Sequence, residues 1–107
     1  MTEITSKQRK ILEKAAHNLE PVVIVGQNGV TDSVVKMISE SLEAHELIKV
    51  KFNEYKDEKS GYAADIAMRT DSILVRIIGN VAIFFRQNDD EKKRKINLKE
   101  KKCRTKN

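Results

Sequence analysis

Apolar positions along the chain fall into patterned segments separated by polar or glycine-bearing breaks. Ile11, Leu12, Ala15, Ala16 and Leu19 keep one stripe at helical spacing, and Thr5 with Gln8 three residues later supplies a capping box ahead of it. A helix is predicted over about residues 6–17. Pro21 discourages helix at the residue before it. The uninterrupted β-branched run Val22, Val23, Ile24, Val25 is too short for a stable helix and predicts a strand covered on both faces. Gly26-Gln27-Asn28-Gly29 ends that run. Thr31 then caps a second helix in which Val34, Val35, Ile38 and Leu42 form the inward stripe, continuing to about Ala44.

Strict alternation from Leu47 to Phe52 predicts a strand with Ile48, Val50 and Phe52 on one face and Leu47, Lys49 and Lys51 on the other, partly wet one. After the polar stretch Asn53 to Gly61, the small and apolar residues Ala63, Ala64, Ile66, Ala67 and Met68 predict a third helix. Residues 73–78 and 81–86 read as two strands joined by Gly79-Asn80, a two-residue type II′ hairpin turn with glycine first. The order helix, strand, helix, strand, helix, strand, strand predicts an α/β fold with a mixed sheet. Helical crossovers permit parallel pairs, and the tight turn demands an antiparallel one.

Length and charge sharpen this picture. At 107 residues, 39% hydrophobic, the chain suits one domain that folds without disulfides or a structural metal. The formal net charge of +5 is unevenly placed: residues 1–91 carry 12 basic and 15 acidic side chains, and residues 92–107 carry nine basic ones against Glu100 alone. A slightly acidic body thus bears a strongly basic end. The domain is expected over residues 1–98, with Ile96 and Leu98 as its last apolar anchors, and residues 99–107 as a mobile basic tail. No apolar run is long enough to span a bilayer and the start has no export pattern, so a soluble, cytoplasmic protein without membrane contact is expected.

Catalytic chemistry finds little support. Cys103 is the only cysteine, and His17 and His45 lack partners at metal-ligand spacing, so neither a metal site nor a cofactor is expected. Glu46 beside His45 could serve acid-base chemistry, but no serine or cysteine is placed as an activated nucleophile, and both histidines suit helix ends. No catalytic residue is assigned. Gly26 to Gly29 runs into a helix start, where free amides can hold an anion, yet it matches neither a dinucleotide fingerprint nor a P-loop. Two glycines making a tight strand-to-helix turn explain the same letters, and Asp32 would repel a closely bound phosphate. Tyr55 and Tyr62 are candidate stacking groups, whereas Phe84 and Phe85 suit core packing.

Five segments together resemble the CRM domain family, the chloroplast RNA splicing and ribosome maturation domain, and especially its small bacterial stand-alone YhbY-like members. They are Lys7-Gln8-Arg9, Ala16-His17-Asn18-Leu19-Glu20-Pro21, Gly26-Gln27-Asn28-Gly29, the run from His45 to Lys51, and the hairpin carrying Ile78-Gly79-Asn80 and Phe85-Arg86. The resemblance implies a mixed four-stranded sheet with three helices, similar to the C-terminal domain of translation initiation factor three. It also implies a KH-like GxxG loop and binding of ribosomal RNA in assembly of the large ribosomal subunit. A monomer is expected. Gln27 stands where many relatives have a basic residue, and Phe85 where the family often has tyrosine.

On that resemblance the RNA-binding residues are Gly26, Gln27, Asn28 and Gly29 of the loop and Lys7, Arg9, Lys10 and Lys14 of the first helix. Lys49, Lys51, Arg86, Lys92, Lys93, Arg94 and Lys95 supply further positive charge. The competing reading is a protein-interaction module that docks on a ribosomal protein or assembly factor without touching RNA.

Overall fold

Local capping sets the first element. The backbone N–H of Gln8 donates to Thr5 Oγ1 at 3.1 Å and the Thr5 N–H donates to Gln8 Oε1 at 2.9 Å, a reciprocal box at the start of α1 (Ser6–Ala16). The computed structural model describes residues 4–90, 92 and 94. After α1 come β1 (Pro21–Val25), α2 (Asp32–His45, capped by Thr31), β2 (Leu47–Phe52), a single 3-10 turn Lys56–Glu58, α3 (Lys59–Arg69), β3 (Ile73–Ile78) and β4 (Val81–Phe85). Gly79 at φ 59° opens the two-residue turn between β3 and β4, and Asn80 stays outside the positive-φ region, as a type II′ turn requires.

The strands form one mixed sheet in the order β1-β2-β4-β3. β1 and β2 run parallel, joined by the α2 crossover, while β4 pairs antiparallel with both β2 and β3. Period-two alternation divides the apolar residues between two layers. Val23, Val25, Ile48, Val50, Phe52, Ala82 and Phe84 face α2 and α3, meeting Ile38, Leu42, Ala63 and Ile66. Leu47, Val75, Ile83 and Phe85 face α1, meeting Leu12 and Ala16. Phe52, Phe84 and Phe85 are fully buried, each removing about 2 to 3 kcal/mol worth of apolar surface from water.

Two expectations change. β1 is not covered on both faces: Val23 and Val25 are buried, but Val22 and Ile24 are exposed, because α1 packs mainly on β2, β3 and β4. The third helix starts at Lys59, before Gly61, which is tolerated inside it at an exposed position where an added Cβ would meet nothing. Among the described residues no helix is long and apolar enough to cross a membrane, and no cluster of three or more His, Cys, Asp or Glu side chains could hold a metal ion.

Candidate functional site

The turn between β1 and α2 closes on itself, with the Gly29 N–H donating to the Gly26 carbonyl at 3.0 Å. Its two glycines answer different needs. Gly29 is buried at φ +73°, a conformation that L side chains resist, and an added Cβ would sit 3.5 Å from the Tyr55 ring. Gly26 has no positive φ and open space where a Cβ would go. Packing therefore accounts for Gly29 and leaves Gly26 unexplained. Between them Gln27 and Asn28 are exposed at the tip.

Tyr55 is the latch on this turn. Its hydroxyl donates to the Gln27 carbonyl at 2.6 Å, and its ring meets Tyr62 of α3 edge-on at 5.5 Å. The residue adopts φ 59° to do so. Tyr55 thus positions the loop from the α2/α3 side, a role the sequence reading missed in treating it as a stacking group. Arg69, at the end of α3, bonds Asp32 at 2.6 Å and Asp65 at 3.5 Å. The carboxylate that would repel an anion at the α2 start is thereby matched by a guanidinium.

The other basic candidates separate into distinct places. Lys7, Lys10 and Lys14 are exposed and follow a helical i, i+3, i+7 stripe on the side of α1 away from Leu12 and Ala16. Arg9 turns inward instead, its guanidinium donating to the Val75 carbonyl. Lys49 lies on the α1 face of the sheet, where its ammonium donates to the carbonyls of His17 at 3.3 Å and Leu19 at 3.0 Å, closing the end of the first helix. Lys51, one step along β2 and exposed, pairs with Ile24, two residues before the glycine turn.

Arg86 is engaged in contacts within the fold. Its guanidinium donates to Thr70 O at 2.7 Å, Ser39 O at 2.9 Å and Ser39 Oγ at 3.2 Å, with Glu43 Oε1 at 3.5 Å. It ties α2, the end of α3 and the end of β4 together. It also lies at the end of the sheet opposite the glycine turn, since β4 ends beside Leu47 while β1 ends beside Phe52. Glu46, the other residue considered for chemistry, is 1% exposed at φ 65° and accepts the Asn88 N–H at 2.6 Å, so it anchors the chain leaving β4. Lys92 and Arg94 follow at this same far end, the Lys92 N–H bonded to Asp90 and the Arg94 Nε to the Asn88 carbonyl. Lys93, Lys95, the anchors Ile96 and Leu98 and the 99–107 tail lie outside the described residues.

The family model for the CRS1 / YhbY (CRM) domain matches residues 4–86. The chain is 37% identical over 90 residues to the Bacillus subtilis (strain 168) protein named Probable RNA-binding protein YqeI, covering 83% of this chain and 94% of that relative. It is 36% identical over 93 residues to a Haemophilus influenzae protein named RNA-binding protein, covering 86% of this chain and 94% of that one. The fold is similar to the solution structure of a hypothetical Staphylococcus aureus protein described as a candidate RNA binder, with a TM-score of 0.74 and 31% identity over 89% of this chain and all of that one. The matched span runs from Ile4, just before the Thr5 capping box, to Arg86, just past β4, and with it the chain belongs to the CRS1 / YhbY (CRM) domain family.

Proposed function

We propose that this protein binds RNA, that its ligand is ribosomal RNA, and that it acts as a monomer in the assembly or maturation of the large ribosomal subunit. The observation that carries the reading is Gly26. A glycine costs about 0.5 to 1 kcal/mol of folding free energy relative to alanine through chain entropy, and neither backbone angle nor packing requires one here. What a bare Cα does supply is room for a ligand backbone to come close. The turn runs into the start of α2, where the helix dipole favours a phosphate, and the names of its relatives point to the same polymer. No covalent step is involved: Asn28, Gln27 and the turn backbone hold the ribose-phosphate chain, and the α1 lysine stripe supplies longer-range attraction.

Gly26→Ala separates a ligand role from a folding role. The variant is expected to unfold at the same or a slightly higher temperature, since no clash arises and the unfolded chain loses freedom, while its RNA affinity falls about tenfold. Unchanged affinity in a filter-binding titration would remove the principal support for the reading. Replacing Lys7, Lys10 and Lys14 together by alanine is expected to reduce the magnitude of the log-log salt slope by about 2 on single-stranded RNA, because each phosphate contact contributes about 0.7. A slope equal to wild type would take α1 out of the interface. Crosslinking the full chain to ribosomal precursors tests the ribosomal assignment, and crosslinks to protein with none to RNA would favour the docking-module alternative.

A further inference from the structure

The corner of the sheet that α1 leaves open carries an ordered row of side chains. Ile24 pairs with Lys51, Lys51 with Val81, and Val81 with Ile78, so one residue from each strand lines up across the full width of the sheet. All four point to the α1 side, because their neighbours Val25, Phe52, Ala82 and Ile77 pack toward α2 and α3. Ile24 and Ile78 are each 55% exposed and stand at the two ends of this row. With strands about 4.8 Å apart, the row is about 14 Å long, room for about two bases lying flat. Behind Val81 and Ile78 a recess of about 240 Å³ continues beneath the end of α1, floored by Ile83 and rimmed by His17 and Lys49. The recess also holds Glu13, whose carboxylate is matched by Arg76 at 3.1 Å.

Two observations decide what this surface accepts. Its position is next to the glycine turn, since Ile24 stands two residues before Gly26 and the Gly79-Asn80 hairpin turn borders the same end of the sheet. Its charge is a lysine set among aliphatics, with no carboxylate in the row. By contrast, the polar depression on the Tyr55 side of the turn is lined by Glu54, Asp57 and Glu58 against one cation, Lys56, a net negative lining that disfavours a phosphate chain. A polyanion held at the turn is therefore directed across the sheet row and away from the α3 side.

We propose that the Ile24–Lys51–Val81–Ile78 row is a base-binding platform for single-stranded RNA. The aliphatic side chains pack against unstacked bases, Lys51 meets the intervening phosphate, and the recess under α1 takes a base edge against His17 and Lys49. This rests on the RNA reading and narrows it to a strand class: an A-form duplex keeps its bases stacked inside and offers the row nothing apolar.

The test uses the full chain and three probes: a short oligouridine strand, the same strand with abasic riboses, and an RNA duplex of equal length. The double variant Ile24→Ser/Ile78→Ser removes apolar surface without touching charge, at positions exposed enough for the fold to persist. It is expected to bind oligouridine about tenfold more weakly than wild type, with unchanged salt slope and unchanged affinity for the abasic strand and the duplex. Met68→Ser, at a residue 74% exposed on α3, is expected to bind all three like wild type. In wild type, the methyl resonances of Ile24 and Ile78 should shift on adding oligouridine. Equal loss on the abasic strand, or no loss on oligouridine, overturns the platform. So does a wild-type dimer that the double substitution dissolves, which would make the row a contact between copies. If wild type binds no RNA at all, the parent reading falls with it. If RNA is bound and Gly26→Ala weakens it while the row variant does not, the platform alone falls.

Discussion

Arg86→Met is expected to lower the free energy of unfolding by about 2 to 4 kcal/mol, while the folded variant keeps RNA affinity within about threefold of wild type. The guanidinium touches Ser39, Glu43 and Thr70 together from the end of β4, and its side chain is 21% exposed. Methionine retains the aliphatic stem but deletes the charge-assisted bonds to two backbone carbonyls, leaving α2 and the end of α3 without their common strut. Arg86→Lys keeps the charge but cannot fork between Ser39 O and Thr70 O, so it should recover less than half of the loss. Urea denaturation followed by far-ultraviolet circular dichroism reads the effect as a lower midpoint with an unchanged slope. A large loss of RNA affinity with wild-type stability would instead restore Arg86 to the interface.

The case of Arg86 shows which features local pattern can reach. The Thr5–Gln8 box, the Thr31 cap, the alternation from Leu47 to Phe52 and the Gly79-Asn80 turn are written in neighbouring letters, and each stands in the structure where its letters place it. Functions set by contacts across the chain are not written that way. Arg86 and Ser39 are 47 positions apart, Lys49 and His17 are 32 apart, and Tyr55 and Gln27 are 28 apart. A basic residue at a strand end reads alike whether it faces solvent or a helix carbonyl. The open sheet corner was hidden for a related reason: a four-residue β-branched run signals a strand, but only the position of α1 decides whether Val22 and Ile24 are covered. At the glycine turn the letters did suggest an anion site or a tight turn, and the backbone angles place the conformational demand of the turn at Gly29 and not at Gly26.

That division makes Gly29→Val the sharpest perturbation of the site. Valine at φ +73° meets the steric penalty of the left-handed region, about 1 to 2 kcal/mol for an ordinary L residue and more for a β-branched one. Its Cβ would lie 3.5 Å from Tyr55 Cε2, so the methyl groups beyond it run into the ring. Relief requires Tyr55 to swing out, which breaks the 2.6 Å bond to the Gln27 carbonyl and the edge contact with Tyr62. Together these costs come to about 2 to 4 kcal/mol, a fall of roughly 10 to 20 °C in the melting temperature of a chain this size. RNA affinity should fall by more than tenfold even well below the transition, because the turn loses the shape that presents Gly26 and Asn28. Gln27→Ala is the matched control: it removes an exposed side chain, keeps the backbone carbonyl that Tyr55 holds, and should change stability by less than about 0.5 kcal/mol. Gly29→Asn should fall between them, since asparagine tolerates left-handed angles but still projects a side chain at Tyr55. Wild-type melting and wild-type RNA binding in Gly29→Val would mean that neither the turn's backbone nor its Tyr55 latch governs the interface.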